Sequence, residues 1–248
     1  MKYALRVSKN IYASFRMNMQ PFINYKFMLP KGQTESFNII FDGEKYTTES
    51  CDTDVTPAWY RLDFKQCPNC SLSSHKTPLC PMMSTLGCAA ARFSTIVSFE
   101  TVDLLVTTEE RTITKKTSVQ RALSSLLGLL IAVSGCPHTV YFKPMARFHL
   151  PLATEDETVF RATGMYMIAQ YLRKSEGLDA EFDLSGLKKI YENLRIVNMA
   201  VAARLREAAK ADSLVNAVIL LDLFAKAIPD IIDMKLEEMK PIFSPYLG

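Results

Sequence analysis

Residues 22–41, FINYKFMLPKGQTESFNIIF, carry the clearest structural signal in the N-terminal part of this chain. Apolar side chains occupy every second position from Ile23 to Leu29 and again from Phe37 to Phe41. The turn sequence Pro30-Lys31-Gly32 separates the two runs. Alternation with period two on both sides of a turn predicts a β-hairpin with one buried face.

Three further segments have the character of strands. Residues 59–64 include Trp59, Leu62 and Phe64 and predict an edge strand just before a group of cysteines. Residues 102–106 alternate again, and Ile113 lies in a threonine-rich run that could pair with them. We therefore expect the first third of the chain to form a small antiparallel sheet.

Helix signals follow the sheet region. Residues 86–97 are the first helix candidate, and a helix over 117–134 should open at the capping box Thr117-x-x-Gln120. A second capping box, Thr154-x-x-Glu157, predicts a helix that extends to about Ser175. Three more helices are expected, over about 184–210, from 212 or 213 to just before Pro229, and over 231–239.

These elements predict an α+β fold, in which an N-terminal small antiparallel sheet with a Cys-rich loop packs on a C-terminal bundle of four to five helices. We expect residues 1–20 to be a loosely held extension. Residues 21–248 should form a single α+β domain, β-rich over 21–116 and helical over 117–240, because no Gly/Ser linker divides them.

Composition excludes several classes of protein. The chain has 248 residues, 48% of them hydrophobic, which argues against a disordered or fibrous protein. Its 29 Lys+Arg and 26 Asp+Glu leave a net charge of +3, too small for bulk electrostatic binding of nucleic acid or an anionic membrane. The longest apolar run, 126–133, is too short to span a membrane, and no secretory signal is recognisable. We expect a cytoplasmic protein without membrane association.

The segment CPNCSLSSHKTPLC, residues 67–80, carries the main chemical signal. Its spacing is Cys67-x2-Cys70-x4-His75-x4-Cys80, and such short loops bring thiolates together around a metal ion. Cys136, in the sequence GCPH, is an alternative to His75 as the fourth ligand, because proline follows it as it follows Cys67 and Cys80. Zinc is the expected metal, with an iron–sulfur cluster as the alternative.

Three functional hypotheses follow from this segment. The first is a non-enzymatic interaction or regulatory protein, stabilised by zinc and acting on an unidentified protein partner. The second is an iron–sulfur or thiol-based redox protein. The third is a single-stranded nucleic-acid binder, because the spacing is similar to a retroviral-type zinc knuckle, although Pro68, Ser71 and Ser74 replace the aromatic residue and glycines of a knuckle. No familiar hydrolase, zincin or nucleotide-binding signature occurs, so an enzyme is the less favoured interpretation.

Four sequence blocks together resemble a family of uncharacterised bacterial proteins assigned to a domain of unknown function. The similarity covers about residues 20–230 and implies a soluble bacterial protein, without an activity or assigned catalytic residues. The blocks are CPNC…CP, RALSSLLGLLIAVSGCPH, ARFHLPLATEDE and LVNAVILLDLFAKAIP.

Two further groups of polar residues are candidate sites. His138, Arg147 and His149 lie close together in the chain and could form a catalytic or anion-binding loop. Asn198 and Asn216 fall on apolar helix faces at 100° per residue, so both need buried partners. They could clamp two helices together, or they could form a polar pocket with Arg147, His149 or Arg204.

Overall fold

The computed structural model describes residues 20–42, 45–48, 56–208 and 212–248. The predicted extension over 1–20 lies outside these residues, except for Gln20. Within them, an antiparallel sheet is followed by a helical part, which confirms the predicted α+β class.

The sheet has five strands in the order β3-β2-β1-β4-β5, and all neighbouring strands are antiparallel. Tyr25 at the centre of the sheet pairs with Phe37 on one side and Val106 on the other. The predicted alternation is confirmed, because Ile23, Tyr25 and Phe27 are all buried on one face. The strands are β1 Phe22–Met28, β2 Thr34–Asp42, β3 Lys45–Thr48, β4 Thr101–Thr108 and β5 Thr112–Ser118.

Seven α-helices lie in the described part of the chain, one of them between β3 and β4. The capping box at Thr154 is present as predicted, since its hydroxyl accepts the amide of Glu157 and the Glu157 carboxylate accepts the amide of Thr154. The helices are α1 Pro81–Arg92, α2 Val119–Val133, α3 Lys143–Arg147, α4 Glu155–Ser175, α5 Ser185–Ala208, α6 Ser213–Met239 and α7 Ser244–Leu247.

The start of α2 differs from the prediction. The segment that reads as a capping box is the end of β5, and α2 begins at Val119 without a side-chain cap. The amides of Val119 and Gln120 instead donate to the carbonyls of Glu100 and Ser98. The segment just before β4 therefore supplies acceptors for the first amides of α2.

The predicted edge strand over 59–64 and the predicted helix end before Pro229 are also wrong. Residues 58–60 form a short 3-10 turn. Among the described residues, 59–64 make one ladder pair, an isolated bridge between Arg61 and Leu79, so the predicted edge strand over 59–64 is absent. Pro229 lies inside α6 rather than beyond its end. The adjacent side chains of Ile228 and Ile232 are buried, and their packing holds the helix continuous across the proline.

Sheet and helices share one cluster of buried apolar side chains. Leu104 of β4, Leu123 of α2 and Val218 of α6 are among its fully enclosed members. Cys80, just before α1, and Cys136, just after α2, pack against this shared core. Among the described helices, none is both long and apolar enough to cross a membrane.

Candidate functional site

Four of the five predicted metal ligands border one small cavity. Cys67 and Cys70 lie in the loop that follows the turn at 58–60, Cys80 directly precedes α1, and Cys136 follows α2. All four are free thiols and partly buried. The cavity has a volume of about 20 Å³, and Leu62, Leu72, Met82, Val197 and Val201 form much of its apolar wall.

Backbone hydrogen bonds shape the loop that carries three of these cysteines. The amide of Cys70 donates to the carbonyl of Cys67 at 3.0 Å, which closes a tight C-x2-C turn. The amide of Cys80 donates to the carbonyl of Tyr60 at 2.8 Å and returns the end of the loop to its start. Pro81 then opens α1, where its missing amide costs no hydrogen bond.

Burial governs the protonation of two of the thiols. The pKa of Cys67 is raised to about 11, mainly because burial removes solvent from the thiol. The neighbouring thiol of Cys80 also raises this pKa, and its effect is larger than the opposite effect of Arg204. Burial also raises the pKa of Cys136, and the nearby His138 backbone amide and Thr139 side chain offset only part of this increase. Both groups are therefore neutral thiols at pH 7 when no cation is bound.

Side-chain hydrogen bonds fasten this loop to its surroundings. His138, which also borders the cavity, donates from Nε2 to the carbonyl of Asn69 at 2.6 Å. Asn69 in turn donates from Nδ2 to the carbonyl and Oδ1 of Asn193 on α5, at 3.3 and 3.1 Å. His138 thus joins the segment after α2 to the cysteine loop.

Arg204 on α5 places a buried positive charge at the cavity. Its side chain is 1% exposed and donates to the carbonyls of Arg61 and Leu62 at 2.9 Å and of Lys65 at 3.3 Å. No carboxylate of the described residues forms an ion pair with it. The guanidinium therefore holds the chain just before Cys67 in place.

His75, the other predicted fourth ligand, lies elsewhere. It is exposed, in a turn where the amides of Lys76 and Thr77 both donate to the carbonyl of Ser73, and it does not border the cavity. Within the described ranges, no three His, Cys, Asp or Glu side chains form a group that could hold a metal ion. What the cysteines share is the border of one cavity.

A second cavity of about 540 Å³ lies between α2, α4, α5 and α6. His149 borders it and hydrogen-bonds through Nε2 to the hydroxyl of Tyr25, which also lies 2.7 Å from Ser125 Oγ. Ser125 Oγ accepts the amide of Leu152 at 2.9 Å. This network connects β1, α2 and the segment before α4.

Burial and a neighbouring cation keep His149 neutral. Desolvation, with a smaller contribution from the charge of Arg161, lowers the pKa of His149 to about 3. The ring is thus a neutral hydrogen-bonding group at pH 7 and cannot supply a positive charge to the cavity. Arg161, which borders the same cavity, supplies one.

The three residues 138, 147 and 149 do not form one site. His138 lies at the cysteine cavity and His149 at the large cavity. Arg147 is exposed, and its guanidinium carbon lies 5.5 and 5.7 Å from the ring centroids of Phe41 and Phe148. Proximity in the chain therefore did not translate into a shared environment.

The two asparagines also have separate environments, so they do not clamp α5 to α6 through each other. Asn216 donates from Nδ2 to Ser98 Oγ at 3.1 Å and to Asp212 Oδ2 at 2.9 Å. Asn198 borders the large cavity with His149, and neither amide atom of its buried side chain has a hydrogen-bond partner in the described structure. Asp222 on α6 lies near it, outside hydrogen-bonding geometry.

Three of the polar residues at this cavity, Tyr25, Ser125 and Arg161, carry no functional signal in the sequence. Tyr25 falls in the alternating run that predicts a half-buried strand, and no role follows from the sequence for Ser125 or Arg161. The Tyr25 hydroxyl contacts Ser125 and His149, which lie 100 and 124 positions further along the chain, and no local spacing signals such pairs.

The fold and the site define an α+β protein in which three cysteines of one loop and a fourth from the segment after α2 border one small cavity. The chain belongs to the family described as Domain of unknown function (DUF6901), which matches residues 23–244. This match confirms the family resemblance seen in the four sequence blocks. No curated protein and no solved structure matches the chain.

Proposed function

We propose that this protein is a non-enzymatic interaction or regulatory protein whose fold is stabilised by one zinc ion bound to Cys67, Cys70, Cys80 and Cys136. The observation that carries the proposal is the presence of four free thiols, three from the loop over 67–80 and one from the segment after α2, at the border of one cavity. Four thiolates complete a tetrahedron around zinc at Zn–S distances of about 2.3 Å.

The size of the cavity favours a single ion. Its volume of about 20 Å³ is close to the smallest space that holds one water molecule, roughly 10–15 Å³. A cluster of several iron and sulfide atoms needs more room, so the size argues for zinc over iron–sulfur. Since the side chains do not form a ready-made metal group, binding has to draw the four sulfurs together around the ion.

The charge of Arg204 supports the same assignment. Four thiolates around Zn²⁺ carry a net negative charge, which is costly to bury without a nearby cation. Arg204 borders this cavity, is buried, and has no ion-pair partner among the described residues. A zinc tetrathiolate would give this buried cation a counter-charge.

A site of this kind is structural. When the protein fills all four coordination positions, no place remains for a reactive water, so hydrolysis at the metal is not expected. The ion would join the loop over 67–80 to the end of α2, and would thereby fix the surface where the loop, α5 and α2 meet. We propose that a protein partner binds this surface.

Elemental analysis of the full chain, purified without added metal, tests the proposal. We expect about one zinc per chain in the wild-type protein and in His75→Ala, the matched control within the same loop. Cys67→Ser, Cys70→Ser, Cys80→Ser and Cys136→Ser should each lose the metal and lower the midpoint of unfolding.

Three results would overturn this assignment. A metal-free wild-type chain removes the site altogether. Iron with absorbance near 400 nm replaces zinc by a cluster and supports the redox hypothesis. Metal retained in Cys136→Ser but lost in His75→Ala supports a local knuckle, for which salt-dependent binding to short single strands is the next measurement.

A further inference from the structure

We propose that the large cavity between α2, α4, α5 and α6 is a binding site for a small amphipathic carboxylate, a molecule with an apolar body and one anionic head. Its volume of about 540 Å³ is within the roughly 300–1,000 Å³ typical of small-molecule sites. Leucine, isoleucine, alanine and phenylalanine side chains form most of its wall. This site is separate from the cysteine cavity and does not depend on metal binding.

Arg161 supplies the group that would recognise the carboxylate. It borders the cavity, and its Nη2 donates to the carbonyls of Met145 and Phe148 at 2.8 and 2.9 Å. No ion pair or further hydrogen bond joins Arg161 to other described residues, which leaves Nη1 and Nε available. A guanidinium whose position is fixed by two carbonyls is preorganised to bind an anion with its remaining donors.

The acidic residues nearest in sequence are already engaged. The Glu155 carboxylate, at the cavity wall, lies 3.5 Å from Lys235 Nζ. The Glu157 carboxylate accepts the amide of Thr154 at 2.7 Å in the capping box. Neither carboxylate forms an ion pair with Arg161, although the charge of Glu157 acts on the guanidinium from further away. An anion from outside the chain would be its first directly paired counter-charge.

Asn198 is the second sign of a ligand. Its side chain is 1% exposed and borders the cavity, yet neither Nδ2 nor Oδ1 has a partner in the described structure. Asp222 on α6 lies near this amide, but its Oδ1 is also without a hydrogen-bond partner. Buried polar groups in folded proteins are almost always hydrogen-bonded, because an unmet donor or acceptor costs about 1–3 kcal/mol. A polar atom of the ligand would satisfy this amide, and the apolar wall would accept the rest of the molecule.

Calorimetric titration of the full chain with decanoate tests the proposal, with decan-1-ol as the uncharged counterpart of equal chain length. We expect saturable binding of decanoate, at least about tenfold tighter than binding of decan-1-ol. The heat capacity change should be negative, because apolar surface is buried. Undetectable binding of decanoate, or equal affinity for the two probes, would overturn the proposal.

Variants separate a binding role of Arg161 from a structural one. Arg161→Gln should weaken decanoate binding about tenfold or more and leave decan-1-ol binding unchanged, whereas Arg161→Lys should retain most of the preference for decanoate. Arg173→Gln, a change of an exposed arginine on the same helix, is the matched control and should change neither affinity. Equal losses for both probes in a folded Arg161→Gln protein would make Arg161 purely structural and refute the assignment.

Discussion

Acidification should destabilise the folded protein through His149. In the native chain the pKa of this ring is about 3, against an ordinary value of about 6.5, because the ring is desolvated and faces Arg161. Its Nε2 is bonded to the Tyr25 hydroxyl, whose own pKa is raised by burial. Protonating the ring in place would bury a second positive charge beside the guanidinium.

The sign of the effect follows from proton uptake. Between pH 6.5 and pH 3 the unfolded chain binds a proton at His149 that the folded chain does not bind. The free energy of unfolding therefore rises with pH through this window. The contribution is complete above about pH 6.5, and it is lost progressively as the pH falls toward 3.

Inside this window, each pH unit changes the free energy of unfolding by about 1.4 kcal/mol. Lowering the pH from 7 to 5 should therefore reduce the free energy of unfolding by about 2 kcal/mol through this one residue. Urea unfolding of the wild type and of His149→Gln at both pH values isolates the effect. The variant should lose about 2 kcal/mol less than the wild type on acidification.

His75→Gln, a change of an exposed histidine, is the control and should behave as the wild type. All proteins must be compared in one metal state, because thiolate–metal binding also depends on pH. If the wild type and His149→Gln lose the same stability between pH 7 and pH 5, the ring ionises as it does in water and the reasoning fails.

Two further predictions concern stability, and urea unfolding midpoints check both. Asn216→Leu removes hydrogen bonds to Ser98 and Asp212 and should lower the free energy of unfolding by about 1–3 kcal/mol. Asn198→Leu should raise the free energy of unfolding, because the amide of Asn198 has no partner to lose. Equal losses of stability in the two variants would contradict this prediction. Thr154→Ala removes the capping box of α4 and should cost about 1 kcal/mol. Ser118→Ala, at the uncapped start of α2, should cost little, and the opposite order would refute the assignment of caps.

Residues close together in the chain could be interpreted from the sequence. The alternation of β1 and β2, the helix start at Thr154 and the α+β order all depend on side chains a few positions apart, and the structure agrees with each. The grouping of Cys67, Cys70 and Cys80 is of the same kind, because fourteen residues can return to their start at little entropic cost.

Contacts between distant segments were decided only by the tertiary structure. The segment from Thr117 has the residues of a capping box, but pairing of β5 with β4 extends through Ser118 and overrides the local signal. The end of α2, and not the loop tip with His75, reaches the cavity, and this placed Cys136 beside the other three cysteines. Arg204 forms a hydrogen bond with Leu62, which is 142 residues away in the chain, and Tyr25 forms one with His149, which is 124 residues away. No periodicity or spacing encodes such pairs, because they form only when the shared apolar core packs sheet and helices together.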